Sequence, residues 1–560
     1  MSGLDTNIAE NYLFDASIAK NTLDANNYVV KSRNVTPIID QQKGSGSYNT
    51  GTVIIDAQSF GNGSDVTSWS EAYVTLPYSI ALQCVAGSTS TVTGAYDNNL
   101  LTALKNNSLI ESLKVEQAGR VIINETSNLS HLVNFVKHCT TTQESLETQS
   151  VCNAYYPDNE YSNSVANTLQ GVANNSNFYS GSGTLSLIHN DGLFKRQKAL
   201  YPLNDVTGGA VFSNATYQAN EFSTFQSVAT SPTTIATGNG TTLSKIHFLA
   251  VIYLKDLSDF FAKHPLSRGL GYKITIKVNQ AVSTASLTTT TTPFNVLPTI
   301  SATTLNSSAS VQPAMLCIGP STIAGNSSVT ATNTTYNYTL TSAIDTDTLN
   351  ARQSGVILYV PSYVLSEEYD AKLYADPVIN RSPFMINSAF YENRGSNAPI
   401  NLQLFSAISN PRALLVIPQF SQTIQGQPSQ TSALNPSPSV TDPLLSLTRI
   451  QIRVNSRPVL PNTSNYAFQQ FIDHTQRIFK TNGGESEITS GIINFTKFSN
   501  NYRYYAFDLT QSVDASQRDV PQLITFEGFN NSAVNVDLYV YVLYEQSATF
   551  DVLKGSVDIM

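Results

Sequence analysis

The sequence predicts an all-β protein built as two tandem domains, each of about eight short strands. Three observations carry this. Charged residues make up 13% of the chain, about half the usual ~25% share, while 28 Tyr and 25 Phe stand against one Trp. Abundant Thr and aromatics with few Lys and Glu favour strands over helices. Segments with strict two-residue alternation recur along the chain, and those of the second half follow those of the first in the same order. At 560 residues the chain exceeds one ordinary domain, and 41% hydrophobic residues are enough for large cores.

Residues 1–45 read as a leader with weak helical spacing (Ile8, Leu13, Ile18, Leu23) and mixed charge. Thr52 to Asp56 is a first strand after a Gly/Ser turn. Ser70 to Ile80 places Ala72, Val74, Leu76 and Tyr78 on one face. Leu113 and Val115 point one way, Lys114 and Glu116 the other. From Asn124 to about Ser244 the chain reads as long loops. Order resumes at 246–254, followed by a short helix with Leu254, Leu257 and Phe261 on one stripe and Pro265 just after it. In 272–279, Tyr272, Ile274, Ile276 and Val278 face a core while Lys273, Thr275, Lys277 and Asn279 face water. Thr288 to Thr292 opens another long loop. Residues 355–365 form a strand, and 366–374 a helix or linker.

The second half repeats this order. INLQLF (400–405), expected to be the first strand of its domain, stands where 52–56 stood. Residues 412–420 parallel 71–79, 449–460 parallel 111–122, 503–510 parallel 247–254, and 521–529 parallel 272–279. A period of roughly 340 residues is too long for a solenoid or propeller repeat. The first copy carries roughly eighty extra residues as a surface loop, where insertions are tolerated.

Lys plus Arg is 31 and Asp plus Glu 40, a net charge of −9. This excludes a basic nucleic-acid-binding protein and disorder driven by high charge. The first twenty residues lack a basic stretch followed by an apolar one, so no secretory signal is expected. The longest apolar run, Ile246 to Leu254, is far short of the ~20 residues that span a membrane. Four cysteines, Cys84, Cys139, Cys152 and Cys317, are too sparse for a disulfide scaffold and point to a reducing compartment.

No phosphate-binding glycine loop, dinucleotide fingerprint, zinc-protease motif or nucleophile elbow occurs. His131, His138, Cys139 and Cys152 are the best metal candidates, because seven residues between the histidines is two helical turns. They lack the tight ligand pairs of zinc sites, and a helix packed on a sheet explains them better. Asp345/Asp347 and Asp158/Glu160 could bind Ca²⁺ but lack an EF-hand run, and turn chemistry accounts for them. Glu367 and Glu368 with Glu71 could mimic a glycosidase pair, although spacing alone cannot set the ~5–9 Å that such a pair needs. Tyr and Phe at strand positions such as Tyr502, Tyr504, Tyr505 and Phe507 read as core and interface filling. No catalytic, cofactor-binding or metal site is expected, and no cofactor.

Residues 68–82 (SWSEAYVTLPYSIAL), 254–280, 355–369 (GVILYVPSYVLSEEY) and 538–552 (LYVYVLYEQSATFDV) together resemble the double jelly-roll major capsid proteins of virophages and polinton-like viruses. The resemblance runs through most of the chain in order, apart from loops at about 125–245 and 282–350. It implies two tandem eight-stranded jelly-roll barrels with long loop insertions and a few short helices. The expected divisions are an arm over 1–45, a first barrel over 46–372 and a second over 373–560. It also implies a non-enzymatic virion protein, made and assembled inside an infected host cell. As a homotrimer it would form a pseudo-hexagonal capsomer that tiles an icosahedral shell around double-stranded DNA. Implied partners are neighbouring capsomers, a single jelly-roll penton protein and minor or cement proteins, with or without an internal membrane. Sequence-specific nucleic-acid binding is not expected: Lys20, Lys31, Arg33 and Lys43 are outnumbered by Asp5, Glu10, Asp15, Asp24 and Asp40 in the arm, which cannot condense nucleic acid. The rival reading is a cell-surface adhesin or carbohydrate-binding β-sandwich, which should carry a signal peptide. A jelly-roll glycoside hydrolase would need carboxylates at inward strand positions, and those positions are apolar.

Overall fold

The computed structural model describes residues 29–40, 47–58, 65–84, 92–93, 100–104, 108–124, 126–147, 155–157, 197–199, 225–228, 234–235, 241–289, 299–305, 313–318, 334–346, 353, 355–421, 445, 447–460, 465–479, 491–500, 502–510 and 519–559. Two barrels of one design account for most of them.

The first barrel uses β1 (Val30–Ile39), β2 (Thr52–Asp56), β3 (Tyr73–Cys84), β4 (Ile110–Gln117), β5 (Arg120–Ile123), β6 (Thr241–Tyr253), β7 (Lys273–Val278) and β8 (Ile357–Leu365). The second uses β9 (Phe384–Arg394), β10 (Ala398–Ile408), β11 (Pro411–Phe420), β12 (Leu447–Val454), β13 (Arg457–Pro458), β14 (Tyr505–Asp508), β15 (Gln522–Asn530) and β16 (Val536–Glu545). In the first, one sheet runs β1-β8-β3-β6 and the other β2-β7-β4-β5. In the second the orders are β9-β16-β11-β14 and β10-β15-β12-β13. Every strand has its counterpart eight places on, so the fold is a double jelly roll. Each segment matched between the halves of the sequence occupies the same place in both barrels.

Alternation decides which face is buried. Ile274 pairs with Ile55 on one side and Val115 on the other, and all three are fully buried. Lys114 and Glu116, one residue out of phase, form an ion pair at 2.8 Å on the outer face. In the second barrel Phe526 pairs with Leu402 and Ile452, and all three are buried. Trp69 anchors the first core, its indole N–H donating to Leu270 O at 3.0 Å and its ring meeting Tyr272 edge-on at 4.9 Å.

The helices are short. α1 (Leu129–Thr140) follows β5. The stripe expected at 254–262 is two single turns, α2 (Leu254–Leu257) and α3 (Asp259–Ala262), broken at Ser258, whose hydroxyl accepts from the Phe260 N–H. Leu254, Leu257 and Phe261 are all buried as the stripe requires. α4 (Glu367–Ala375) joins the barrels, α5 (Phe468–Phe479) follows β13, and α6 (Phe495–Asn500) precedes β14.

Three expectations need correction. Within the leader expected over 1–45, Val30–Ile39 is a strand: β1 pairs along its length with β8. It is an edge strand with most side chains exposed, so it lacks the alternation that marks a half-buried strand, and its Pro37 is tolerated at an edge. INLQLF is not the first strand of the second barrel, because β9 precedes it as the equivalent edge. The loop expected over 282–350 contains Ala281–Thr289, Thr299–Leu305, Ala314–Ile318 and Thr334–Ile344, three of which continue the sheet from β3. Thr-rich text has weak hydrophobic contrast but good strand propensity. Within 125–245, besides α1, the described strands are Gln197–Ala199, Phe225–Val228, Thr234–Ile235 and the start of β6. The remainder of that loop reading lies outside the described residues.

Candidate functional site at the junction of the two barrels

α1 belongs by sequence to the first barrel but lies against the outer face of the second barrel's β9-β16-β11-β14 sheet. In β16, Leu538, Val540 and Val542 point into the core, so Tyr539 and Tyr541 point outward; yet they are only 5% and 1% exposed. The His131 ring lies 4.3 Å from that of Tyr539. The Tyr541 hydroxyl donates to Asn128 O at 2.6 Å. Phe135 meets Tyr504 edge-on at 5.0 Å, and His138 Nδ1 is 3.1 Å from the Tyr504 hydroxyl. His131 and His138 share the face that two helical turns predict, and both are filled with aromatic and amide partners, His131 Nδ1 lying 3.4 Å from Gln419 Nε2. Cys139 is buried on the same helix, and burial pushes its thiol well above the ordinary range. Cys152 lies outside the described residues.

The other candidates are dispersed. Asp345 is buried, its N–H donating to Pro77 O; Asp347, Asp158 and Glu160 lie outside the described residues. Glu71 accepts from Arg33 at 3.1 Å and from the Tyr363 hydroxyl at 2.6 Å. Glu367 faces Lys31 at 3.6 Å and Glu368 pairs with Lys372 at 3.1 Å. Each carboxylate of the glycosidase-like group therefore has its own cation. Among the described residues, no three His, Cys, Asp or Glu side chains come together as metal ligands, and no helix is long and apolar enough to cross a membrane.

A second contact runs in the opposite direction. The C-terminal strands Ala548–Asp551 and Ser556–Ile559 form a hairpin that pairs with Val378–Arg381 and docks on the first barrel. The Gln117 side chain donates to Gly555 O at 2.8 Å and accepts from Val557 N at 3.1 Å. Arg120 bonds Asp558 at 2.7 Å, and Arg268 N donates to Val552 O at 2.7 Å. Gly555 has φ +67°, and a Cβ there would lie 2.2 Å from Gly269 O, so only glycine fits.

Phe550 of that hairpin packs 4.9 Å from the His264 ring. His264 is fully buried, with Nδ1 2.7 Å from Pro265 O and Nε2 2.7 Å from the Tyr272 hydroxyl. A carbonyl only accepts, so Nδ1 carries the proton and Nε2 accepts from Tyr272. Burial pulls the imidazole down to about 3, against the partial support of the Pro265 carbonyl.

The sequence reading missed this junction. Its one local signal is that residues 538–544 are apolar or aromatic at every position, as in a strand covered on both faces.

These two interlocked barrels define a double jelly-roll protein. The chain is similar over nearly its whole length to three solved proteins. One is a chain of the Sputnik virophage determined by cryo-electron microscopy, at 11% identity over 95% of this chain and 89% of that one, with TM-score 0.49. Another is the mavirus major capsid protein, at 12% identity over 97% and 94%, with TM-score 0.45. The third is the Faustovirus major capsid protein, at 10% identity over 94% and 91%, with TM-score 0.42. At 10–12% identity the likeness is one of fold. No protein-family model and no curated protein matches the chain.

Proposed function

We propose that this chain is a major capsid protein, a structural rather than catalytic molecule whose working unit is a homotrimeric, pseudo-hexagonal capsomer. The observation that carries the reading is the repeat of one barrel, strand for strand, within a single chain, with a helix of the first seated on the outer sheet of the second. A lobe-on-lobe contact of that kind is heterologous, and repeated between chains by a 120° rotation it would close a ring. Two lobes per chain make six lobes from three chains, which is what a hexagonal lattice of capsomers requires. The four sequence segments that resemble virophage and polinton-like capsid proteins support the same reading. Such capsomers would tile an icosahedral virion shell around double-stranded DNA, beside penton and minor or cement proteins. We further propose that the chain divides into its two barrels at α4, near residues 366–380.

The test is the mass of the purified protein in solution. Three chains of 60.8 kDa should scatter as about 182 kDa at micromolar concentration, with interfaces on the order of 2,000 Å² or more. Electron microscopy should then show rings of six lobes or shells. A stable monomer that forms neither overturns the proposal.

A further inference from the structure

The two barrels differ in what covers their outer sheets. In the second barrel one outward row runs Phe390–Tyr539–Ile417 across β9, β16 and β11, and the N-terminal turn of α1 sits on it. Tyr539 and Ile417 are consequently buried. In the first barrel the corresponding row runs Pro37–Tyr359–Tyr73–Tyr253 across β1, β8, β3 and β6. The Tyr73 and Tyr359 rings stack at 5.1 Å, and Tyr253 adjoins Tyr73 at 5.6 Å. All three tyrosines are only half-buried, and Val35 and Ile39 beside them on β1 are 41% and 54% exposed. Apart from the edge residue Phe390, which is 45% exposed, the same outer face is thus covered in one barrel and open to solvent in the other.

The second barrel also holds the counterpart of the covering helix. α5 has the same place in its barrel as α1, after the strand that closes the β12–β13 hairpin, and both helices have twelve residues. Its N-terminal turn carries an apolar projection: Phe495, at the start of α6, packs 5.9 Å from Phe468 and is 67% exposed. The other end of α5 continues the existing junction, Phe479 lying 5.6 Å from Phe135 of α1.

We propose that the tyrosine row Tyr73–Tyr253–Tyr359 is the docking surface for a second copy of this chain, whose α5–α6 segment seats Phe468 and Phe495 there as α1 seats Asn128 and His131 on Tyr539 and Tyr541. The inference rests on the trimeric reading and names its interface. Six equivalent contacts then surround the ring, three within chains and three between them.

The test uses the full-length protein. Phe495→Asp alters an exposed side chain and should leave the circular dichroism spectrum unchanged while reducing the scattering mass from three chains to one. Tyr359→Asp should do the same, and hydroxyl-radical footprinting of the unmodified protein should show Tyr73, Tyr253 and Tyr359 several-fold more protected in the trimer than in dissociated chains. A trimer that survives Phe495→Asp with the three tyrosines equally reactive in both states overturns this interface and leaves the trimeric reading standing. A wild-type monomer overturns both.

Discussion

The imidazole of His131, from a helix of the first barrel, rests 4.3 Å from the ring of Tyr539, on an outward position of a strand of the second. That contact turns an outward-facing tyrosine into a buried one and joins the cores of the two barrels into one continuous apolar cluster. His131→Asp would set an unpaired carboxylate against an aromatic surface, which costs several kcal/mol if it stays buried. We expect melting to change from one transition to two by calorimetry, as the barrels uncouple.

The metal reading of the same helix makes the opposite demand. With His131 and His138 filled by tyrosines and Gln419, chelation with EDTA should leave the melting temperature unchanged. A fall in melting temperature, together with stoichiometric zinc by elemental analysis, would restore a metal site with Cys139 and Cys152.

Face assignment in β7 is checked by neighbouring substitutions. Ile274→Asp buries a charge between Ile55 and Val115 and should prevent folding. Lys273→Asp removes a solvent-exposed ion pair with Glu116, which contributes little to stability, and should fold. Identical circular dichroism and melting for the two variants would refute the assignment.

His264 should make the barrel junction acid-sensitive. Its pKa in the folded protein is held down to about 3, below the ~6.5 of an unfolded chain. The unfolded state therefore binds the extra proton first, and stability rises with pH between about 3 and 6.5. The contribution is complete above that window and lost as pH falls through it. In His264→Gln the melting temperature should fall less steeply between pH 6.5 and 4 than in the wild type. Parallel slopes would remove His264 from the account.

Gly555→Ala should loosen the C-terminal hairpin, since the added Cβ meets the Gly269 carbonyl and φ is unfavourable. We expect a loss of a few kcal/mol and faster proteolysis near residues 366–380, where α4 is largely exposed. The two β-rich fragments should remain associated through α1 until denatured. Cleavage at an unchanged rate would place the hairpin outside the clasp between the barrels.

Faces could be assigned from the sequence in strands with one wet and one dry side, while strands covered on both sides, such as Pro411–Phe420, were legible only as apolar runs. In 272–278 and 113–116 the alternation assigns each side chain without reference to the rest of the chain. Asn279, expected to face water, is instead buried, its side-chain amide donating to Ser108 O at 2.6 Å. The edge strands β1 and β9 escaped because exposure on both faces leaves no such contrast, and the Thr-rich strands of 281–344 escaped because Thr is indifferent to the side it faces. His131 and His138 could be placed on one helical face by spacing alone. What that face met could not.

Local periodicity and strand propensity, which depend only on neighbours a few residues apart, together with the repeated order of segments in the two halves, were enough to set an all-β chain of two like domains. Contacts that join positions far apart in the chain were settled only by folding. Asn128 and Tyr541 are 413 residues apart, and Gln117 and Gly555 are 438 apart. A helix face or strand end records that it needs covering, but which distant surface covers it depends on how the two cores, once formed, fit together.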